Sequence, residues 1–116
     1  MTIKRLQIGP RMSQAVVHNG IVWLAGQVAT EAVQDIAGQT RQVLAAIDAL
    51  LAEAGSDKHH LLTAQIFLAD MADFAAMNKV WEAWVDAANP PARATVEAAL
   101  ARPGWKVEIV VSAAVE

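Results

Sequence analysis

The chain has no cysteine. That excludes disulfides, thiolate metal sites and a thiol nucleophile, and it fits a reducing compartment. No apolar run approaches the roughly 20 residues that a membrane span requires, and the opening residues lead into a strand pattern instead of the apolar centre of a signal peptide. A soluble, cytoplasmic protein without membrane contact is the expectation. Clustered basic charge is missing too: nine Lys and Arg are scattered among twelve Asp and Glu, for a formal charge of −3. Nucleic-acid binding draws chiefly on cations grouped at phosphates, so a nucleic-acid partner is not expected. His18, His59 and His60 lack the further histidine or carboxylate at zinc-binding spacing, so no metal is implied.

What is present is an apolar chain of 116 residues, 55% hydrophobic and only 18% charged. Its length predicts one domain over 1–116, and an apolar excess in so small a domain implies surface buried against other subunits. A strand pattern runs from Ile3 to Ile8 and is interrupted by Gly9-Pro10. Gln14 to Val17, the His18-Asn19-Gly20 turn and Ile21 to Ala25 read as a β-hairpin, because Asn-Gly accepts the positive φ values of a type I′ turn. Ile36, Val43, Leu44, Ile47, Leu50 and Leu51 predict an amphipathic helix over 35–54, with Asp35 at its start and Gly55 at its end. Leu61 to Leu68 alternates as a strand, with Leu62, Ala64, Ile66 and Leu68 on one side. A second helix is expected from Met71 to Ala87, stopped by Asn89-Pro90-Pro91, with Phe74, Met77, Trp81 and Trp84 as a core stripe. Two further strands follow, joined through Ala101 to Trp105. The class this predicts is α+β, with two helices on one face of a sheet. The other face is then uncovered and apolar, which predicts an oligomer packing through its sheets.

The last two strands carry the most informative residues. In Ala92-Arg93-Ala94-Thr95-Val96, strand alternation groups Arg93, Thr95 and Glu97 on one face and Val96, Ala98 and Leu100 on the other, read as the core side. In Val107-Glu108-Ile109 the apolar alternation turns Glu108 away from the core. If the strands pair in one sheet, Arg93 and Glu108 share the uncovered face. A guanidinium binds a carboxylate through two coplanar bonds that lysine cannot reproduce, so the simplest site takes a small organic acid. A structural ion pair between Arg93 and Glu108 or Glu97 is the competing reading. Ser13 has no evident base partner, Arg11 reads as a surface charge, and Trp105 reads as an aromatic anchoring a turn.

Arg11-Met12-Ser13-Gln14-Ala15-Val16, Leu24-Ala25-Gly26-Gln27-Val28, Ile66 to Phe74, and Pro91 to Val96 with Val107-Glu108-Ile109 resemble the reactive intermediate deaminase family, also called RidA or YjgF-like. The resemblance spans about Gly9 to Val115. It implies a chorismate-mutase-like α+β fold and a homotrimer whose sheets line a central barrel, with clefts between subunits. It also implies hydrolysis of 2-aminoacrylate-like enamine or imine acids to 2-oxo acids and ammonia, without metal or organic cofactor. By motif position, Arg93 would hold the substrate carboxylate and Glu108 would orient or activate water. The backbone around Thr95 would contact the ligand, Gly26 would line the cleft from the neighbouring subunit, and Met12 and Ser13 would stand beside it. The sequence departs from the deaminase branch in carrying Met12 in place of a common tyrosine, Ala25 in place of serine, Thr95 in place of cysteine, and Val110 in place of a second acid. These changes make the pocket less polar and place the chain nearer a divergent branch. A non-catalytic module that captures 2-oxo or short carboxylic acids is the alternative. An endoribonuclease or translation inhibitor, which the resemblance also brings, is disfavoured by the acidic balance.

Overall fold

The computed structural model describes residues 2–116. Seven strands form one mixed sheet, with two helices packed on one of its faces. In chain order the elements are β1 (Lys4–Ile8), β2 (Ser13–His18), β3 (Ile21–Leu24), β4 (Gln27–Val28), α1 (Ile36–Glu53), β5 (Leu61–Leu68), α2 (Phe74–Trp84), β6 (Ala92–Glu97) and β7 (Val107–Ala114). The sheet order is β1-β2-β3-β7-β5-β6, with β4 pairing the first residues of β7. Among the described residues only the β5–β6 pairing is parallel.

Local chemistry accounts for most boundaries. Asn19 and Gly20 both hold positive φ at the β2–β3 turn, as the hairpin reading required. Asp35 caps α1 by accepting from the Gly38 N–H at 2.8 Å. At its other end Ser56 N–H bonds to Leu51 O and Gly55 N–H to Ala52 O, with Gly55 at φ 85°, which is a Schellman stop. The second helix is shorter than expected. Met71–Asp73 form a 3₁₀ turn ahead of it, and the chain leaves at Val85, where Asp86 accepts from the backbone of Ala88 and the side chain of Asn89. That local competition with the helix ends α2 before the prolines do.

The core lies between helices and sheet. Val43, Leu44, Ile47, Leu50 and Leu51 of α1 and Met77 and Trp81 of α2 pack on Val22, Leu24, Ala64, Ile66, Leu68, Val107, Ile109, Val111 and Ala113. The α2 stripe is only partly core, since Phe74 is 39% exposed and Trp84 sits at the margin. Leu62 is exposed as well, because a register shift between Leu61 and Thr63 turns it out of the expected alternation.

One buried polar residue ties three segments together. Gln39 is fully buried on α1. Its Nε2 donates to the carbonyls of Ala32 (3.2 Å), Gln34 (3.1 Å) and Gly104 (2.9 Å), and its Oε1 accepts from the Lys106 N–H (2.9 Å). Both loops that flank the start of β7 are thus fixed to one helix. Removing an amide that satisfies buried partners costs about 1–3 kcal/mol for each group left unpaired. With four backbone groups losing their partner, Gln39→Leu is therefore expected to lower folding stability by about 4 kcal/mol or more in urea unfolding. A loss below about 0.5 kcal/mol, the scatter of surface substitutions, would contradict this account.

Candidate functional site

The pairing of β6 decides where its charges point, and it reverses the sequence expectation. β6 is not beside β7; β5 lies between them. In the parallel register Arg93 stands opposite Ala64, Thr95 opposite Ile66 and Glu97 opposite Leu68. Ala64, Ile66 and Leu68 are buried under the helices, so Arg93, Thr95 and Glu97 lie on the helix side. Val96, expected in the core, stands opposite Phe67 on the open face and is 45% exposed. Thr95, expected on the uncovered face, is under the helices, and Leu24 is core. Glu108 does lie on the open face, aligned with Phe67. In one chain, then, Arg93 and Glu108 point to opposite sides of the sheet. They are also separated by roughly 10 Å across two strand spacings and roughly 10 Å along the strands.

Arg93 projects over the Trp81 ring, its Cζ 5.5 Å from the ring centroid. No carboxylate among the described residues lies within salt-bridge distance of it. Glu97, one of its expected partners, accepts instead from the Met71 N–H at 2.8 Å. The structural ion pair is thereby excluded within the chain. Thr95 Oγ1, two residues along β6 from Arg93, and Asn78 Oδ1 on α2 are buried without a hydrogen-bond partner among the described residues.

The second half of the site forms at the bulge between β3 and β4. Trp23 stands opposite Ser112, yet Gln27 stands opposite Ile109, so the β3–β4 side carries one extra residue. This brings Gly26 against Glu108. A Cβ at Gly26 would collide with Glu108 Oε2 and sit 2.8 Å from its Cδ, so the carboxylate fills the space that glycine leaves. Gln27 donates to Gln14 Oε1 (3.1 Å) and to the Ala25 carbonyl (3.0 Å), and the Ala25 N–H bonds to Gln14 O (2.9 Å). Ser13, at the start of β2, and Met12, 53% exposed in the preceding turn, belong to this end of the sheet. Gln14 and Gln27 carry this scaffold and went unnoticed in the sequence, where a Gln in a strand is an ordinary polar residue.

A cleft of about 510 Å³ opens between β3, β7, β5 and β6, lined by Trp23, Thr63, Gln65, Val110 and Ser112, and by Arg93 where it reaches the β6 edge. Its polar groups are Arg93, Gln65 and the Thr63–Ser112 hydroxyl pair at 2.6 Å. Of the remaining residues, Trp105 anchors its loop by donating Nε1–H to Ala29 O (3.1 Å), with Arg102 over its ring. His18 contacts the Thr2 carbonyl, and His59 and His60 are exposed and pair with Asp86 and Asp57.

The architecture is that of an α+β protein with a bulged sheet whose open face is apolar. The Endoribonuclease L-PSP family profile matches residues 2–115. A RutC family protein of Haemophilus influenzae is 53% identical over 114 residues, 97% of this chain and 98% of its own length. The RutC family protein YoaB of Escherichia coli is 49% identical over 115 residues, covering 99% and 100%. The crystal structure of NMB1025, a YjgF family member from Neisseria meningitidis, superposes with TM-score 0.97 at 52% identity over 100% of this chain and 97% of that one. The chain belongs to the RidA/YjgF-like family.

Two predictions come from this geometry. Because only the flexible end of Glu108 occupies the Gly26 space, Gly26→Ala should change unfolding free energy by less than about 1 kcal/mol. A crystal structure of that variant should show the Glu108 carboxylate displaced; an unmoved carboxylate would refute the contact. The second concerns the turn that leads into β6. Asn89, then His59, then the Ala88 N–H hold the Asp86 carboxylate down to about 2 from an ordinary 3.8. A depressed carboxylate pKa means that its stabilisation is present above 3.8 and is lost as pH falls through 3.8 toward about 2. The stability gap between the parent and Asp86→Ala should therefore close over that interval in acid titration. A gap independent of pH there would be the contrary result.

Proposed function

We propose that this protein is a homotrimeric enamine/imine deaminase that hydrolyses small 2-imino acids of the 2-aminoacrylate type to 2-oxo acids and ammonia in the cytoplasm. The observation that carries the reading is an arginine without a carboxylate partner among the described residues, at a family position where a substrate carboxylate is expected. Since Arg93 and Glu108 diverge within the chain, the site is composite. Arg93 and the backbone at Thr95 come from one subunit, and Gly26 with Glu108 from its neighbour. The apolar open face, with Trp23, Val96 and Val110, is the surface on which such subunits would pack. In the cleft, Arg93 receives the carboxylate through paired N–H bonds, and Glu108 accepts a proton from the water that adds to the imine carbon and passes it to the nitrogen; a second proton, moved from the carbinol hydroxyl to the nitrogen, makes ammonia the leaving group. The resulting carbinolamine expels ammonia and leaves the 2-oxo acid. Holding acid and water together supplies much of the acceleration that a modest barrier needs.

Met12 favours a second reading: exposed at the bulge end, it offers no donor to a substrate. There the protein captures 2-oxo or short carboxylic acids without turnover. The RNA-cleaving activity in the family's name fits poorly with a net charge of −3 and no basic stripe. The deciding assay generates 2-aminoacrylate in situ and follows 2-oxo acid release. Acceleration over buffer is expected, with Glu108→Gln lowering kcat and Arg93→Ala weakening transition-state or ligand binding by about 2–5 kcal/mol. No acceleration for any small 2-imino acid, with saturable Arg93-dependent binding of 2-oxobutyrate, would establish the binding module instead.

A further inference from the structure

We propose that Trp81 is the positioning residue for Arg93: its ring holds the guanidinium at the β6 edge in the orientation that receives a carboxylate. The inference rests on the role given to Arg93 above. Trp81 is 5% exposed, and its ring is fixed from two directions. On one side it is set in the core. On another it meets Trp84, with centroids 5.4 Å apart and planes tilted by 51°. Trp84 is itself tied down, donating Nε1–H to Asp48 Oδ2 at 3.0 Å under the cover of Lys58, whose Nζ lies 5.5 Å from its centroid. The platform beneath Arg93 is therefore rigid, while Arg93 is exposed on an edge strand and free of ion pairs among the described residues.

A free arginine loses much rotamer freedom when it clamps a ligand, and laying it on a fixed ring removes part of that cost beforehand. Cation–π contact uses the flat surface of the guanidinium; carboxylate recognition uses the N–H edge. The two do not compete. The α2–β6 seam is also polar and incomplete, with Asn78 one turn before Trp81 and Thr95 two residues after Arg93 leaving buried oxygens unpaired. The Thr95 hydroxyl can donate to an ordered water, whereas Asn78 Oδ1 can only accept from one.

The test compares Trp81→Phe and Trp81→Leu in the full chain, with propionate and 2-oxobutyrate as calorimetric probes. Affinity should fall in the order Trp, Phe, Leu, by about 3- to 30-fold in all, the range of a cation–π contact. On an Arg93→Ala background the same Trp81 replacements should have no further effect. NMR supplies an independent arm: the Arg93 δ-methylene protons should be shifted upfield by the indole ring in the free protein and should move toward ordinary values in either variant. Folded variants that bind both probes like the parent, or that lose the same factor without Arg93, would overturn the proposal. If the parent binds neither probe, the carboxylate reading fails, and the NMR arm decides alone. Arg93 resonances indifferent to Trp81 would then overturn positioning as well.

Discussion

The Gln39 amide is the constraint on which the rest of this architecture depends. A sheet that places its functional strand last has to bring the chain back from the β6 edge, over the loop ending at Lys106, into the position between β3 and β5. That return has little secondary structure of its own. Gln39 supplies its fixed point: one side chain, buried in α1, binds Gly104 O and the Lys106 N–H on the returning segment and Ala32 O and Gln34 O on the segment leading into its own helix. The start of β7 is then aligned against β4, and the bulge at Ala25–Gly26 can close on Glu108. A hydrophobic residue would fill the volume but leave the backbone groups of both loops unpaired, which is why a polar group is tolerated at a fully buried position.

Much of this fold was legible in the sequence because its signals are local. Asn19-Gly20 admits the left-handed backbone of a hairpin turn, and Asp35 and Gly55 punctuate α1 through bonds made within a few residues of themselves. Gln39 and Thr40 were legible in principle. They interrupt the apolar stripe of α1 between Ile36 and Val43, and polar residues on a buried face need internal partners. The C-terminal end of α2 was not, since the Asp86 turn that stops it lies within the three further residues, Val85 to Ala87, that the helix reading included.

The site was half legible, for a physical reason. Alternation says which residues of a strand share a face but not which face is the core, and in β6 it sets Ala92, Ala94 and Val96 against Arg93, Thr95 and Glu97, so the apolar set was read as buried although it faces the open side of the sheet. Val96, Ala98 and Leu100 looked like the buried set. The parallel register with β5 settles it the other way, because the partners of Arg93 and Thr95 are Ala64 and Ile66 beneath the helices. Nothing local to β6 encodes that pairing. Glu108, by contrast, sits in a strand whose alternate residues Val107, Ile109, Val111 and Ala113 are unmistakably apolar, and its direction was correctly placed.

The face reversal alters what the two charges imply about each other. On one face of adjacent strands, the arrangement the sequence suggested, they could have neutralised each other; β5 between them and the three-residue offset along the sheet remove that option. On opposite faces, one laid over an indole and the other folded against a glycine, each is held by its own chain without neutralising the other. Two such half-sites can meet only between molecules, and the apolar open face between them is the surface that subunit packing would cover. On that reading assembly does more than hide hydrophobic surface. In the proposed trimer it would bring a cation from one chain toward a carboxylate from the next while β-sheet geometry keeps the intrachain pair apart, which would leave the arginine to an anionic ligand and the carboxylate to a water.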